Sequence, residues 1–273
     1  MVEAHAYLNG ALIVGEHIRV ECNDAGFLVG DGLFETLRVD RRRALDADAH
    51  LDRLFDGLER IRLSIPESRD ELRAAIDAVA TAAPQPVARL RVTVTRGGPD
   101  LVPTRLVTAV PYSPPPATAY DEGVSVVVVP QLPVDERDPL RRVKSISWQR
   151  QAMALAMAAE QGAFEGILLN RGRGVAEGTR SNVIARIGGD VVTPPLEEGC
   201  LPGTVRRRLL ESGRVVERRL EELDLIEADE LTLTNSLIGV IPVGAVDGQR
   251  RAVGGLAERL RDALSGFGWA MLE

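Results

Sequence analysis

Lysine is all but absent from this chain. Of its 273 residues 33 are Lys or Arg, and Lys144 is the one lysine, which leaves 32 arginines. Cysteine is nearly as scarce. Cys22 and Cys200 stand far apart with no CxxC spacing, which argues for free thiols over a disulfide scaffold or a redox pair. Three scattered histidines, His5, His17 and His50, give no metal-ligand spacing. No apolar run nears the roughly 20 residues that span a bilayer; the longest β-rich run, Val124 to Val129, has strand length. The start of the chain lacks a basic stretch followed by an apolar core, so a cytoplasmic protein is expected. A net charge of −7 disfavours nucleic acid and anionic membrane as partners, since both reward a basic surface. With 45% hydrophobic and 27% charged residues, the chain can bury a sizeable globular core.

The missing lysines give the remaining one a meaning. A coding bias turns exposed lysines into arginines without penalty, because either cation serves at a surface. A nucleophilic amine does not tolerate that exchange: guanidinium stays protonated and forms no imine, whereas a buried lysine can lose its proton and attack a carbonyl. Lys144 is therefore a candidate for amine chemistry. An accidental survivor is the competing reading, and composition alone does not choose between them.

Patterning along the chain mixes strands and helices. Asn9-Gly10 sits between two short β-like runs, a hairpin signal. Gly26 to Gly32 reads as a glycine-rich turn before a strand over 33–39. The apolar spacing of Leu51, Leu54, Phe55, Leu58 and Ile61 predicts a helix over 50–63. A second follows over 67–80, with Ser68 or Asp70 near its start. Leu90, Val92 and Val94 alternate with polar residues in a strand over 89–96, and 106–110 reads as another. Four prolines fall between Pro111 and Pro116, which suits an extended linker. The expected domains are therefore 1–112, a linker over 113–119, and 120–273. The second part holds a strand at 124–129, an Ala-rich helix over 147–161, short strands at 166–170, 182–187, 191–193 and 231–235, and helices over 205–212 and 255–264. The hairpin-like turns point to an α+β fold with substantial antiparallel sheet.

Several segments could carry chemistry, each weak on its own. Lys144 follows Arg141 and Arg142, whose charges would favour a neutral amine by repulsion; a solvated basic patch is the alternative. Glu177, in Val175-Ala-Glu-Gly178, is a carboxylate able to pair with a protonated ring nitrogen, or a turn glutamate. Thr204 and Val205 open a helix after Gly203, where backbone N–H groups make an anion site. Asn235 and Ser236 end a strand in small polar residues and could do the same. Arg53, on the first helix, could clamp a phosphate. Arg91 and Arg96 flank an alternating strand, and arginines there suit a carboxylate substrate. For each of these arginines, plain surface charge is the alternative.

Taken in order, these pieces resemble the fold-type IV pyridoxal-phosphate enzymes, which include branched-chain aminotransferases, D-amino-acid aminotransferases and 4-amino-4-deoxychorismate lyases. The matching segments are Gly30-Asp-Gly-Leu-Phe-Glu-Thr-Leu-Arg38, His50-Leu-Asp-Arg53-Leu54, Lys144-Ser145, Val175-Ala-Glu-Gly-Thr-Arg-Ser-Asn182, Leu201-Pro-Gly-Thr-Val-Arg206 and Thr234-Asn-Ser-Leu-Ile-Gly-Val240. The resemblance implies a small N-terminal α/β domain, a larger C-terminal domain with a mixed or antiparallel sheet, and a homodimer. It makes Lys144 the Schiff-base lysine and gives the pyridine nitrogen to Glu177. The phosphate goes to Arg53, the backbone at Thr204 and Val205, and the Asn235–Ser236 turn.

Two features depart from the pattern. Trp148 is the nearest aromatic after the lysine, where many relatives carry a tyrosine. The lyases' Gly-Arg-Gly-Tyr string is replaced by Gly97-Gly-Pro-Asp-Leu-Val-Pro-Thr-Arg105, which leaves Arg96 and Arg105 both open as the substrate-carboxylate arginine. The Gly30–Arg38 and Asn235–Val243 segments look most like the lyase branch. The resemblance thus favours cleavage of 4-amino-4-deoxychorismate to 4-aminobenzoate and pyruvate in folate synthesis, with an aminotransferase for branched-chain or D-amino acids as the alternative. The expected partner is a small amino-acid-like carboxylate.

Overall fold

A computed structural model of the chain describes residues 4–15, 18–98 and 102–267. His17 and three residues of the departing loop (Pro99, Asp100 and Leu101) lie outside the described residues. The chain divides into two compact units: Met1–Ser113 with Val143–Ser147, and Pro114–Arg142 with Trp148–Glu273. The chain passes from the first unit to the second inside the proline-rich stretch expected to be a linker. Part of that stretch is helical, because Pro116 leads into a short helix, α4 (Ala117–Asp121). The unexpected feature is the return of five residues around Lys144 to the N-terminal unit.

In the N-terminal unit, β1 (Ala4–Leu8) and β2 (Ala11–Gly15) form the expected hairpin, with Asn9 and Gly10 both at positive φ. Where a plain turn was expected there is a short helix, α1 (Ala25–Val29). Asp24 caps it by accepting the Gly26 N–H at 2.7 Å, and Gly30 ends it at φ 71°. Asp24 is buried and also accepts the Thr95 and Thr104 hydroxyls, at 2.7 and 2.5 Å. A capping acid tied to two strand threonines makes a helix of a segment too short to hold one by propensity.

The remaining elements of this unit are β3 (Gly32–Asp40), β4 (Arg43–Ala44), α2 (Ala47–Arg60), α3 (Arg69–Thr81), β5 (Ala88–Thr95) and β6 (Arg105–Pro111). Helix α2 stops short of Leu63 because Arg62 turns left-handed, at φ 53°, and the Leu63 N–H closes on the Leu58 carbonyl. Ser68, not Asp70, caps α3, in a reciprocal box with Glu71. The strands form one antiparallel sheet in the order β2-β1-β6-β5-β3-β4. Alternation puts Leu33, Leu37 and Val39 of β3 in a core with Leu51 and Leu54 of α2, Leu72 and Ile76 of α3, and Leu90 of β5. Phe34, Thr36 and Arg38 therefore face the other way.

The C-terminal unit holds β7 (Val124–Val128), α5 (Gln149–Glu160), β8 (Glu165–Leu169), β9 (Val175–Gly178), β10 (Asn182–Ile187), β11 (Asp190–Thr193), α6 (Thr204–Glu211), β12 (Val216–Glu217), α7 (Asp224–Glu227), β13 (Glu230–Asn235), β14 (Gly239–Val246), β15 (Gln249–Arg250) and α8 (Leu256–Leu264). Its sheet runs β12-β11-β10-β13-β14-β7-β8-β9, with β15 on β14. It is mixed: β14 with β7 and β7 with β8 are parallel, while β10, β13 and β14 pair antiparallel. The architecture is α+β. Strand β14 escapes a pattern reading because its glycines and Pro242 look like strand breakers. Pro242 pairs with Thr232 of β13, and the contact with β7 begins only at Val243.

Gly32 is where β3 admits its neighbours most closely. A Cβ there would stand 2.4 Å from the Val94 carbonyl oxygen and 2.9 Å from the Thr95 Cα. Backbone cannot yield as a side chain can. Gly32→Ala is therefore expected to destabilise the protein by about 2 kcal/mol, measured as a lower midpoint in denaturant unfolding.

Candidate functional site

The setting of Lys144 begins with backbone pairing. The Phe34 N–H donates to the Lys144 carbonyl at 2.9 Å, the Ile146 N–H donates to the Gly32 carbonyl at 3.0 Å, and Leu33 and Ser145 bridge antiparallel. The segment of residues 143–147 thus joins the sheet through an isolated antiparallel bridge at the edge of β3. Val143 anchors it in the core of the unit, beside Gly57. Ser147 donates its hydroxyl to the Gly30 carbonyl at 3.0 Å. Lys144 stands opposite Phe34, and its half-buried side chain lies over that ring, with Nζ 4.7 Å from the centroid.

Arg91 shares the ring. Its Cζ lies 3.9 Å from the Phe34 centroid, and its Nε donates to the Thr93 hydroxyl at 3.1 Å. Burial, aided by the charge of Arg89, pushes the proton affinity of this guanidinium down. Among the described residues Arg91 pairs with no carboxylate. Arg89 and Arg38 stand directly opposite each other on the same face of β5 and β3. Like charges across strands repel, so three arginines and Lys144 make this a cationic face.

The two arginines singled out in the sequence are engaged elsewhere. Arg96 grips Asp31, Nε to Oδ2 at 2.6 Å, and donates to the carbonyls of Ile61 and Arg62 at 3.0 and 3.2 Å. Arg105 is buried and forks onto Glu67 at 2.6 and 2.7 Å, with its third nitrogen on the Pro103 carbonyl. The Tyr7 hydroxyl donates to the same carboxylate at 2.7 Å; burial foremost, then Glu67, pushes its pKa to about 12. These residues border a groove of about 720 Å³ walled by Ala74, Ala75 and Ala78, and Tyr7, Glu67 and Arg105 at its base pair with one another. Arg91, named with Arg96 as an arginine flanking the strand, is the one of the two that shares the lysine's ring. Its signal is parity: it alternates with core residues and so shares the face of Phe34, whereas Arg96 lies beyond the end of β5.

On the core face of β3, Glu35 takes a fork from Arg53, Nε at 2.8 Å and Nη2 at 2.6 Å, and a hydrogen bond from His50 Nδ1 at 2.7 Å. His50 and Arg53 are three residues apart on α2 and share one face. Burial works to raise the Glu35 pKa, but the charge of Arg53 and the hydrogen bonds overcome it and hold it at about 2. His50 is pushed down by its burial, partly countered by Glu35.

In the C-terminal unit, Glu177 of β9 is buried. Its Oε2 accepts the Leu201 N–H at 2.8 Å and its Oε1 accepts Arg141 Nη2. Arg141 also donates from Nε to the Gly199 carbonyl at 2.8 Å, and Arg142 pairs with Glu197 at 3.2 Å. The two arginines expected to repel a lysine proton are thus each paired with a carboxylate. Leu201 leads through Pro202 to Gly203, where a Cβ would meet Asn182 Oδ1 at 2.0 Å, so glycine is required. Helix α6 then opens at Thr204 and Val205, with no side chain capping it. Next to it lies β13, whose end is shaped by Asn235: its Oδ1 accepts the N–H groups of Leu237 and Ile238 at 2.8 and 3.0 Å. The Asn235 side chain therefore builds the turn. Cys22 and Cys200 are free thiols, and burial pushes that of Cys200 up to about 12.

Two outcomes are expected from these pairs. Glu35 is protonated near pH 4.5 when unfolded but only near 2 when folded. Its contribution, about 3 kcal/mol, is therefore complete above pH 4.5 and is lost as pH falls towards 2. His50 acts in the same direction, since the unfolded chain takes up a proton below its ordinary pKa and the folded chain resists. The stability gap between wild type and Glu35→Gln should narrow over that acid range in pH-resolved denaturation. Arg105→Met should destabilise by about 3 kcal/mol, the low end for breaking a buried pair, without changing substrate affinity in steady-state kinetics.

Comparison with known proteins identifies the family. The family model described as amino-transferase class IV matches residues 32–246. A putative branched-chain-amino-acid aminotransferase of Methanocaldococcus jannaschii is 30% identical, over 94% of this chain and 93% of its own. A bifunctional aminodeoxychorismate lyase / D-amino acid transaminase of Mycobacterium tuberculosis is also 30% identical, over 89% and 91%. Among solved structures, the 4-amino-4-deoxychorismate lyase of Pseudomonas aeruginosa superposes with a TM-score of 0.84 at 28% identity, over 96% of this chain and 98% of its own. The chain belongs to the class IV aminotransferases, a family of pyridoxal-phosphate-dependent enzymes.

Proposed function

We propose that the chain is a lyase that cleaves 4-amino-4-deoxychorismate to 4-aminobenzoate and pyruvate. The carrying observation is that Lys144 and Arg91 lie over one aromatic ring, and that Arg91, unlike Arg96 and Arg105, has no carboxylate partner among the described residues. A stacked, partly desolvated guanidinium beside a reactive amine suits a substrate carboxylate. Arg89 on the same face favours a substrate with a second anionic group. The lyase substrate has two carboxylates, whereas a simple D-amino acid has one.

The donor set fits the cofactor. In the N-terminal unit, Lys144 has the amine that its aldehyde requires and Arg53 a guanidinium suited to a phosphate; in the C-terminal unit, Glu177 is a buried carboxylate suited to its ring nitrogen, and α6 starts with no side-chain cap. When bound, pyridoxal phosphate supplies an aldehyde for the substrate amine and a ring that takes up the electron pair released at the amine-bearing carbon. With the cofactor bound, the Lys144 amine would take the proton from that carbon. Arg91 holds the carboxylate so that this C–H points at Nζ. Phe34 keeps water from that side of Nζ. Lys144 then returns a proton to the departing pyruvate fragment, while loss of that fragment makes the product ring aromatic.

Amino transfer on the same residues is the second reading, supported by the aminotransferases among the relatives. There Lys144 would move the same proton, and the bound cofactor would supply the chemistry that retains the amine. In either reading the chain acts as a homodimer. The consecutive exposed residues Phe27, Leu28 and Val29, 61–76% accessible, suit burial against a second copy.

The purified protein should be yellow, absorbing near ~410–420 nm through the cofactor's own chemistry, and borohydride should bleach it and add mass to Lys144. Lys144→Arg should abolish turnover, because guanidinium cannot replace the amine; near-normal turnover would refute the mechanism. Arg91→Gln should raise the KM for the carboxylate substrate about tenfold to a hundredfold. Pyruvate release without a keto-acid acceptor marks the lyase, and transfer that requires an acceptor marks the aminotransferase.

A further inference from the structure

We propose that Arg141 is a positioning residue that aims the carboxylate of Glu177 at the ring nitrogen of the cofactor. The inference rests on the assignment of Glu177 given above. Strand pairing fixes the Glu177 backbone, since Glu177 stands opposite Leu168 of β8. It does not fix the side chain, whose torsions could swing the carboxylate through a wide arc. Two donors remove that freedom. The Leu201 N–H donates to Oε2 at 2.8 Å, and Arg141 Nη2 donates to Oε1. With one donor on each oxygen, the plane of the carboxylate is held. A carboxylate has about four acceptor positions, so it keeps capacity for a further donor.

Both donors are themselves held. The Leu201 carbonyl accepts the Gly203 N–H at 2.8 Å and Asn182 Nδ2 at 2.9 Å, which anchors the loop whose N–H meets Oε2. Arg141 lies in a single helical turn, Pro139–Arg142, and its Nε donates to the Gly199 carbonyl at 2.8 Å. Arg141, Glu177, Leu201 and Gly199 thus form a closed circuit of hydrogen bonds, completed by the chain between Gly199 and Leu201. A guanidinium serves both ends of its side of the circuit at once because its donors point in fixed directions; an ammonium does not. Stability alone gives no reason for the pair. Its side chains are 13% and 9% accessible, and a pair so buried is often no more stabilising than well-packed apolar groups. What it adds is orientation. Arg142, next in the chain, shows the contrast: its partner Glu197 is 75% accessible, and a pair so exposed fixes little. The loop runs on from Leu201 through Pro202 and Gly203 into α6, so the circuit also ties Glu177 to the segment that opens that helix.

The test separates orientation from general stability. Dissociation constants for pyridoxal phosphate and for its deaza analogue, in which carbon replaces the ring nitrogen, are measured by absorbance on the full chain stripped of cofactor. Arg141→Met is expected to weaken pyridoxal phosphate about tenfold to a hundredfold, the scale on which groups that orient a ligating side chain act, and to leave the deaza analogue within about twofold. Equal weakening of both compounds, or unchanged or tighter pyridoxal phosphate binding, overturns the proposal. Should Arg141→Met not fold, Arg141→Lys keeps the charge without the two-ended grip. It is expected to lose about threefold to tenfold of the preference for the compound with the ring nitrogen. An undiminished preference there shows charge rather than orientation at work and overturns the proposal equally. Glu177→Gln checks the underlying assignment. If it keeps the preference for pyridoxal phosphate over the deaza analogue, the assignment of Glu177 fails; if it loses that preference while the Arg141 variants keep it, only the role of Arg141 fails.

Discussion

Five residues pairing with the edge of one strand set the position of the one lysine in this protein. Val143–Ser147 leaves the C-terminal unit, anneals antiparallel to β3, and returns. Two backbone hydrogen bonds hold Lys144 opposite Phe34, and burial of Val143 keeps the segment from slipping. A strand register is all-or-none: a one-residue slip would turn Lys144 to the opposite face. The amine is therefore placed by backbone pairing, which is insensitive to the mobility of a long side chain.

The same strand separates two tasks by parity. Phe34 points to one face, where it meets Lys144 and Arg91. Glu35 points to the other, where it meets His50 and Arg53. An aromatic ring and a buried acid, adjacent in sequence, thus organise a cationic face and a clamped arginine without sharing a contact. Helix α2 completes the second arrangement because a three-residue spacing brings His50 and Arg53 to one side.

In a chain with 32 arginines, pairing decides which of them a ligand can use. Arg96 and Arg105 stand near enough in sequence to the expected pocket loop to be named, but Asp31 and Glu67 hold them. Arg141 and Arg142 flank the lysine but face Glu177 and Glu197. Arg91 differs in having an aromatic ring and a threonine as its neighbours. Charge in the sequence is thus a poor guide to charge offered to a substrate, since most buried cations are neutralised within the fold.

Much was legible from residue order. The lone lysine, the glutamate before Gly178, the glycine before α6 and the Asn-Gly hairpin each depend on local chemistry: an amine cannot be exchanged for guanidinium, and only glycine fits beside Asn182. The main helices and the strands around β3 followed from apolar period, because burial of one face is written in every few residues. Other features were hidden. Helix α1 depends on threonines some seventy and eighty residues away from its cap, and β14 reads as broken by Pro242 until its neighbours show where no N–H is needed. The partners of Arg91, Arg96 and Arg105, and the return of Val143–Ser147 to β3, belong to contacts between segments distant in the chain. Local propensity carries no record of such contacts. The sequence by itself determined which groups could act, and the tertiary structure alone decided which of them stand together, because strand register and ion pairing are settled only when remote segments meet.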